Sequence, residues 1–105
     1  RARHGRYADV LSALKNGLPV DSRDTHDNTL LLIACQNGKK RIVKLCLRYG
    51  ADLNAKNRAG NTALHFCFMY EHLELFDYLL GKGAGDEALN EDGQTCYDVG
   101  DSTDN

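Results

Sequence analysis

A chain of 105 residues has room for one domain at most, and its 42% apolar and 27% charged residues are those of a folded protein rather than a disordered one. No apolar run approaches the roughly 18 residues that a membrane span requires, and no apolar segment follows the basic opening Arg-Ala-Arg-His-Gly-Arg, so neither a membrane helix nor a signal peptide is expected. The net charge of −2 conceals a division, because residues 1–56 hold eleven Lys/Arg against five Asp/Glu and residues 57–105 hold two against ten. Such a dipolar chain can steer a partner to one end, although each half also reads as an ordinary solvated face. Four cysteines stand apart at 35, 46, 67 and 96, without a C-x-x-C pair. Three of them lie in apolar runs, and the four are read as buried free thiols, which points to a reducing, intracellular and cytoplasmic setting. The missing start Met marks the sequence as an expected excerpt of a longer one.

Laid against itself with a shift of 33, the chain repeats without a gap. Thr29, Thr62 and Thr95 coincide, as do Gly17, Gly50 and Gly83, and Asp24, Asn57 and Asn90. Val10, Val43 and Phe76 fall together, as do Leu14, Leu47 and Leu80.

In chain order, Tyr7–Lys15 is the first expected helix, with Val10, Leu11 and Leu14 on one side and Pro19 in the loop after Gly17. The face that an earlier helix would cover is left to Arg1–Arg6 or to chain upstream. Thr29 then precedes the apolar run Leu30–Asn37, where its hydroxyl can accept from free backbone N–H groups of the first turn. Gly38 stops that run, because glycine tolerates the left-handed backbone of a helix end. Lys40–Arg48 follows, with Ile42, Val43, Leu45, Cys46 and Leu47 on a broad apolar stripe and Lys44 and Arg48 outside it. Ala51–Asn61 is polar and turn-rich. Ala63–Tyr70 and Leu73–Gly81 repeat the plan, closed by Gly83. Gly93–Gly100 begins it once more without a second helix and reads as a terminal cap, followed by a polar tail expected to fray. Helices of about eight to ten residues are marginal alone in water, and one pair cannot bury its own stripe. Stacked neighbours bury a continuous core, which is the physical reason for the repetition. Leu47 and Leu80 are expected at equivalent core positions.

The segments Gly-Asn-Thr-Ala-Leu-His-Phe (60–66), 75–84 and 41–55 resemble ankyrin repeats, a family with a 33-residue period and a T-P-L-H-x-A signature. The resemblance covers residues 7–100. It implies an all-α solenoid of stacked helix-turn-helix units joined by β-turn, hairpin-like loops. The units are then a partial repeat 6–23, repeats 24–56 and 57–89, a partial terminal repeat 90–100 and a tail 101–105. Several positions depart from the signature. Leu30, Ala63 and Cys96 replace its proline, losing a preset first-turn dihedral. Only His65 keeps the histidine, for which the family implies a hydrogen bond to neighbouring loop backbone, while Leu32 stands there one unit earlier. Glu71 occupies the place of Gly38, so that helix is expected to end under strain or to run on. Tyr97 and Asp98 stand where Leu and His are expected.

No catalytic constellation emerges. There is neither a Gly-rich phosphate loop nor a G-x-S-x-G. Cys67 lies two residues from His65, a spacing that points side chains to different sides of a helix. His65, Cys67 and His72 match no common zinc pattern, and the acidic group Asp86, Glu87, Glu91 and Asp92 lacks the ordered spacing of a calcium loop. Lys39, Lys40, Arg41, Lys44, Arg48, Lys56 and Arg58 form the basic set, with Lys40, Lys44 and Arg48 as one solvated stripe. It has no interleaved aromatics, and the acidic half would repel phosphate. The expectation is a non-enzymatic monomer without cofactor or metal, binding neither nucleic acid nor membrane but a protein partner. The resemblance implies contact through loop tips and the exposed side of each first helix. On this chain these are Thr25, His26, Asn28, Arg58, Ala59, Asn61, Glu91 and Asp92 at the tips, with Gln36, Asn37, Met69 and Tyr70 on the helices; Arg23, Lys56 and Leu89 lead into the tips. Tyr70, with Arg58 nearby, is the sharpest candidate anchor. The competing possibility is that Met69 or Tyr70 simply covers the core. The alternative function is a structural or regulatory segment that packs on its own neighbouring domain.

Overall fold

Thr29 and Thr62 show how the helices start. Each has extended backbone, and each hydroxyl accepts from the N–H three residues on, Leu32 at 3.2 Å and His65 at 3.4 Å. The computed structural model describes the backbone of residues 2–99 and the side chains of residues 7–99. The expected shielding role of Arg1–Arg6 and the expected tail 101–105 lie outside the described side chains. Among the described residues five helices follow in order: α1 (Ala2–Lys15), α2 (Leu30–Gln36), α3 (Lys40–Arg48), α4 (Ala63–Met69) and α5 (Leu73–Gly81). The first helix begins five residues before the expected Tyr7. Asn37 and Tyr70 are capping residues just past α2 and α4 rather than their last turns. After Thr95 the chain makes a turn and then takes 3-10 geometry at residues 98–99 in place of an α-helix.

All five helices end alike. The N–H two residues past the cap reaches back across the last turn, as in Lys39 to the Ala34 carbonyl (2.9 Å), Ala51 to Cys46 (3.0 Å), His72 to Cys67 (2.7 Å) and Ala84 to Leu79 (3.1 Å). Leu18 does the same with Ala13 at 3.0 Å. This closure needs one left-handed residue. Glycine supplies it at four of the ends and Glu71, at φ 63°, at the fifth. Of the two outcomes expected at position 71, the helix stops on time and the residue is strained.

The loops before α2 and α4 are copies of one hairpin, and a third copy precedes the turn at Thr95. Asp24, Asn57 and Asn90 donate their N–H groups to Asn28, Asn61 and Gln94, each at 3.0 Å. Their side-chain oxygens accept from the amides two and four residues on, at 2.9–3.0 Å. Acceptance of these amides holds the Asp24 carboxyl below the usual carboxylate range, the Asn28 amide contributing most.

The core runs through the stack. Leu31, Leu32, Cys35, Val43 and Cys46 of one unit meet Ala63, Leu64, Cys67, Phe76 and Leu79 of the next. The first helices α2 and α4 pack directly, whereas α3 and α5 stand further apart. A stack drawn closer on one side curves toward it. The sequence expectation for Leu47 and Leu80 needs correction, because both are only half-buried at the edge of the core. One position earlier, Cys46 and Leu79 are wholly buried. The apolar stripe is broad enough that its centre falls on the neighbouring residue of the same turn.

Candidate functional site

The hairpin tips form a row tied together by cross-links that recur at the repeat interval. The Asn57 amide donates to the Asn28 side-chain oxygen and the Asn90 amide to that of Asn61, both at 3.0 Å. One layer back, the Arg23 guanidinium donates to the Lys56 carbonyl (2.7 Å) and the Lys56 ammonium to the Leu89 carbonyl (3.1 Å). The backbones also touch, more closely at the second junction: Glu91 N–H to Ala59 at 2.9 Å against Arg58 N–H to His26 at 3.4 Å. Gly60 accounts for the closeness, since a Cβ there would lie 2.9 Å from the Asn90 Cα. Its counterpart one unit earlier is Asp27, a left-handed residue that carries a Cβ.

This network divides the expected contact residues. Thr25, His26, Arg58, Ala59, Glu91 and Asp92 are exposed at the tips. Asn28 and Asn61 are half-buried, with their carboxamides engaged in the ladder. On the first helices Asn37 is exposed and bonded to the Ile33 carbonyl, while Gln36 is half-buried. Met69 and Tyr70 are both exposed, at 36% and 45%, so neither of the pair covers the core. Phe68 does that, against Phe76 and Tyr97 with ring centroids 5.5 and 5.7 Å away. Tyr70 is held by a hydrogen bond from Gln36 of the preceding unit (3.3 Å) and lies beside Phe66 at 6.3 Å. Among the described contacts none joins Tyr70 to Arg58; the partner of Tyr70 is Gln36. That link spans 34 residues, one more than the period, and the 33-residue alignment alone would not pair them. Leu73, 53% exposed beside the strained Glu71, also escaped the sequence reading. A single apolar residue opening a helix looks like core until the packing is known.

His65 is structural in its contacts. Its Nδ1 accepts from the Thr62 N–H (3.2 Å), and its Nε2, 2.9 Å from the Gln94 carbonyl, is then the protonated nitrogen. Both nitrogens are engaged in a buried site, and no base remains for Cys67. Where the signature histidine is missing, Asp98 takes over the first of these tasks, accepting from the Thr95 N–H at 3.0 Å. Among the described residues no group of three or more His, Cys, Asp or Glu is placed to hold a metal ion, and no helix is long and apolar enough to cross a membrane. Cys35, Cys46, Cys67 and Cys96 are buried free thiols.

With three copies of one hairpin and two complete helix pairs in register, the family follows from a direct match: residues 2–91 fit the family described as ankyrin repeats (3 copies). The chain belongs to the ankyrin-repeat family. Ankyrin repeats are general protein–protein interaction modules, and the family is generally non-enzymatic. The ankyrin chain is 39% identical over 66 residues to the human SH3 and multiple ankyrin repeat domains protein 2, covering 63% of this chain and 4% of that protein. A fowlpox virus (strain NVSL) protein named for its ankyrin repeats is 37% identical over 93 residues, 85% of this chain and 27% of its own length. Human protein phosphatase 1 regulatory subunit 27 is 35% identical over 66 residues, 63% of this chain and 43% of its own. The chain therefore spans less than half the length of each of these relatives.

Proposed function

We propose that this ankyrin domain is a non-enzymatic module that grips a protein partner along its hairpin tips and first helices, acting as a monomer. The observation that carries the reading is Tyr70. It is a large aromatic left 45% exposed and fixed by Gln36 of the neighbouring unit, next to exposed Met69. Rigid aromatics of this kind anchor interfaces at low entropic cost. Thr25, His26, Arg58, Ala59, Glu91 and Asp92 supply a polar rim, and Asn37 continues it at the cap of α2; Asn28 and Asn61 contribute by holding the rim in place. The units within this domain are taken as 6–23, 24–56, 57–89 and 90–100.

Affinity capture from native extract, comparing the parent with Tyr70→Ala/Arg58→Ala and Tyr70→Ala/Gln36→Ala, tests this surface. Both variants are expected to fold with parental circular dichroism and to lose the same captured proteins. Equal recovery by folded variants would refute the assignment. A second reading, a regulatory segment packed on its own neighbouring domain, draws support from the relatives, in each of which the matched stretch is a minor part. Capture would then depend on the same residues but bring down a fragment of the same gene product.

A further inference from the structure

We infer that the outer side of the stack carries a second site, a groove between α3 and α5 that binds an acidic peptide segment. The groove has a volume of about 620 Å³, within the range of small-ligand sites. Its floor is apolar, made by Leu47, Ala51 and Leu53, and its walls are Lys44 and Arg48 of α3 facing Tyr78 and Lys82 of the next unit. It exists because α3 and α5 stand apart where α2 and α4 are packed.

The cations are the unusual part. Three ammonium groups converge on the single ring of Tyr78: Lys40 at 5.0 Å, Lys82 at 5.5 Å and Lys44 at 5.6 Å from its centroid. Each gains from the ring, but the three repel one another. Carboxylates are close in sequence, with Glu74 and Asp77 on α5, yet among the described residues the ion pair present is Arg23–Asp27, at the hairpin end. Helix electrostatics explain part of the set, since Arg48 and Lys82 lie at helix C-termini, where cations are favoured. They do not explain Lys40, which sits in the first turn of α3 where no acidic residue accompanies it. Lys40 reaches the ring from outside the groove lining, and an anionic guest beside Lys44, Arg48 and Lys82 would relieve the repulsion among the cations that line it.

The apolar floor and the charge of the rest of the molecule select the class of guest. Residues 57–105 hold ten acidic against two basic residues, so a long phosphate backbone leaving the groove would meet repulsion. A short peptide with carboxylates about an apolar side chain matches both rim and floor. This site is separate from the Tyr70 surface, and each can fail without the other.

A fluorescein-labelled peptide, Asp-Glu-Leu-Glu-Glu-Leu-Asp, titrated by anisotropy at low salt is the direct test. Saturable binding is expected, weakened about fivefold or more by Lys44→Gln/Lys82→Gln, absent for the Asn/Gln version of the peptide, and unchanged by Tyr70→Ala. The exposed lysine changes leave the core intact, so folding is not at issue. Failure of the peptide to bind, or equal binding by the lysine variant, overturns the proposal. So does an equally charged single-stranded oligonucleotide that displaces the peptide at lower concentration, which would make the groove a phosphate site. Self-association by sedimentation that the lysine variant abolishes, without peptide binding, would assign the groove to a second copy of the chain and overturn it as well.

Discussion

At position 71 the repeat places a glutamate on backbone with φ 63°, where the previous unit has Gly38 at φ 67°. Gly38 is doubly constrained, because a Cβ there would lie 2.7 Å from the His72 ring, which packs over it and meets the Gln36 carbonyl through Nε2 at 3.2 Å. Glu71 is exposed, and its side chain adds no hydrogen bond or ion pair among the described residues to offset the strain. A non-glycine residue in the left-handed region costs about 1–2 kcal/mol, and glycine returns roughly half of that as backbone entropy. Glu71→Gly is therefore expected to stabilise the domain by about 0.5–1 kcal/mol, read as a higher urea midpoint with an unchanged slope. A loss of stability would show that the glutamate side chain makes a contribution of its own. The site's residues divide on similarly local grounds. The place of Thr25 and Arg58 at the tips followed from the ankyrin resemblance, and both are exposed there. The engagement of Asn28 and Asn61 was not, since their partners Asn57 and Asn90 lie 29 residues away in sequence.

The helices α2 to α5 hold seven or nine residues each, too few to persist alone, and their stability comes from the face they bury. Leu79 and Leu80 make that dependence measurable within one turn of α5. Leu79 is wholly buried and Leu80 lies at the edge of the core. Leu79→Ala should cost about 2–5 kcal/mol. Leu80→Ala should cost roughly half as much, in proportion to the area it hides. Thermal melts of the two variants give the comparison, and equal losses would contradict the packing of α5. The helix positions themselves were legible, because Thr29 and Thr62 open the runs and glycines close most of them. Which residue of a broad apolar stripe sits deepest was not, because two adjacent leucines look alike until the facing helix is in place.

Across the whole molecule the four thiols report on cooperativity. Burial pushes Cys46 and Cys96 up to about 11. The hydrogen bond with Cys67 raises Cys35 further, with burial adding to it. Since the thiolate is the reactive form and all four thiols are buried away from reagent, native thiols are expected to resist alkylation at neutral pH. Because so few units stack along a molecule 43 Å long and 26 × 24 Å across, Cys35, Cys46 and Cys67 should become reactive together at one urea concentration. Pulsed alkylation read by mass spectrometry checks this. Labelling of Cys46 well before Cys67 would mean that the units open separately, as longer repeat arrays can.

The period of 33, the capping threonines, the closing glycines and the alternation of stripe and turn were all present in the amino-acid order. They are local rules, and each acts within a few residues of where it is written. They determined the helices and the stacking, and they carry the resemblance that the family match over residues 2–91 confirms. What only the tertiary structure decided lies between units: the Gln36–Tyr70 pair, the asparagine ladder of the tips, and the convergence of three lysines on Tyr78. Those arrangements depend on how closely neighbouring helices approach and at what angle. That is the outcome of packing all the side chains at once, and no single repeat carries it.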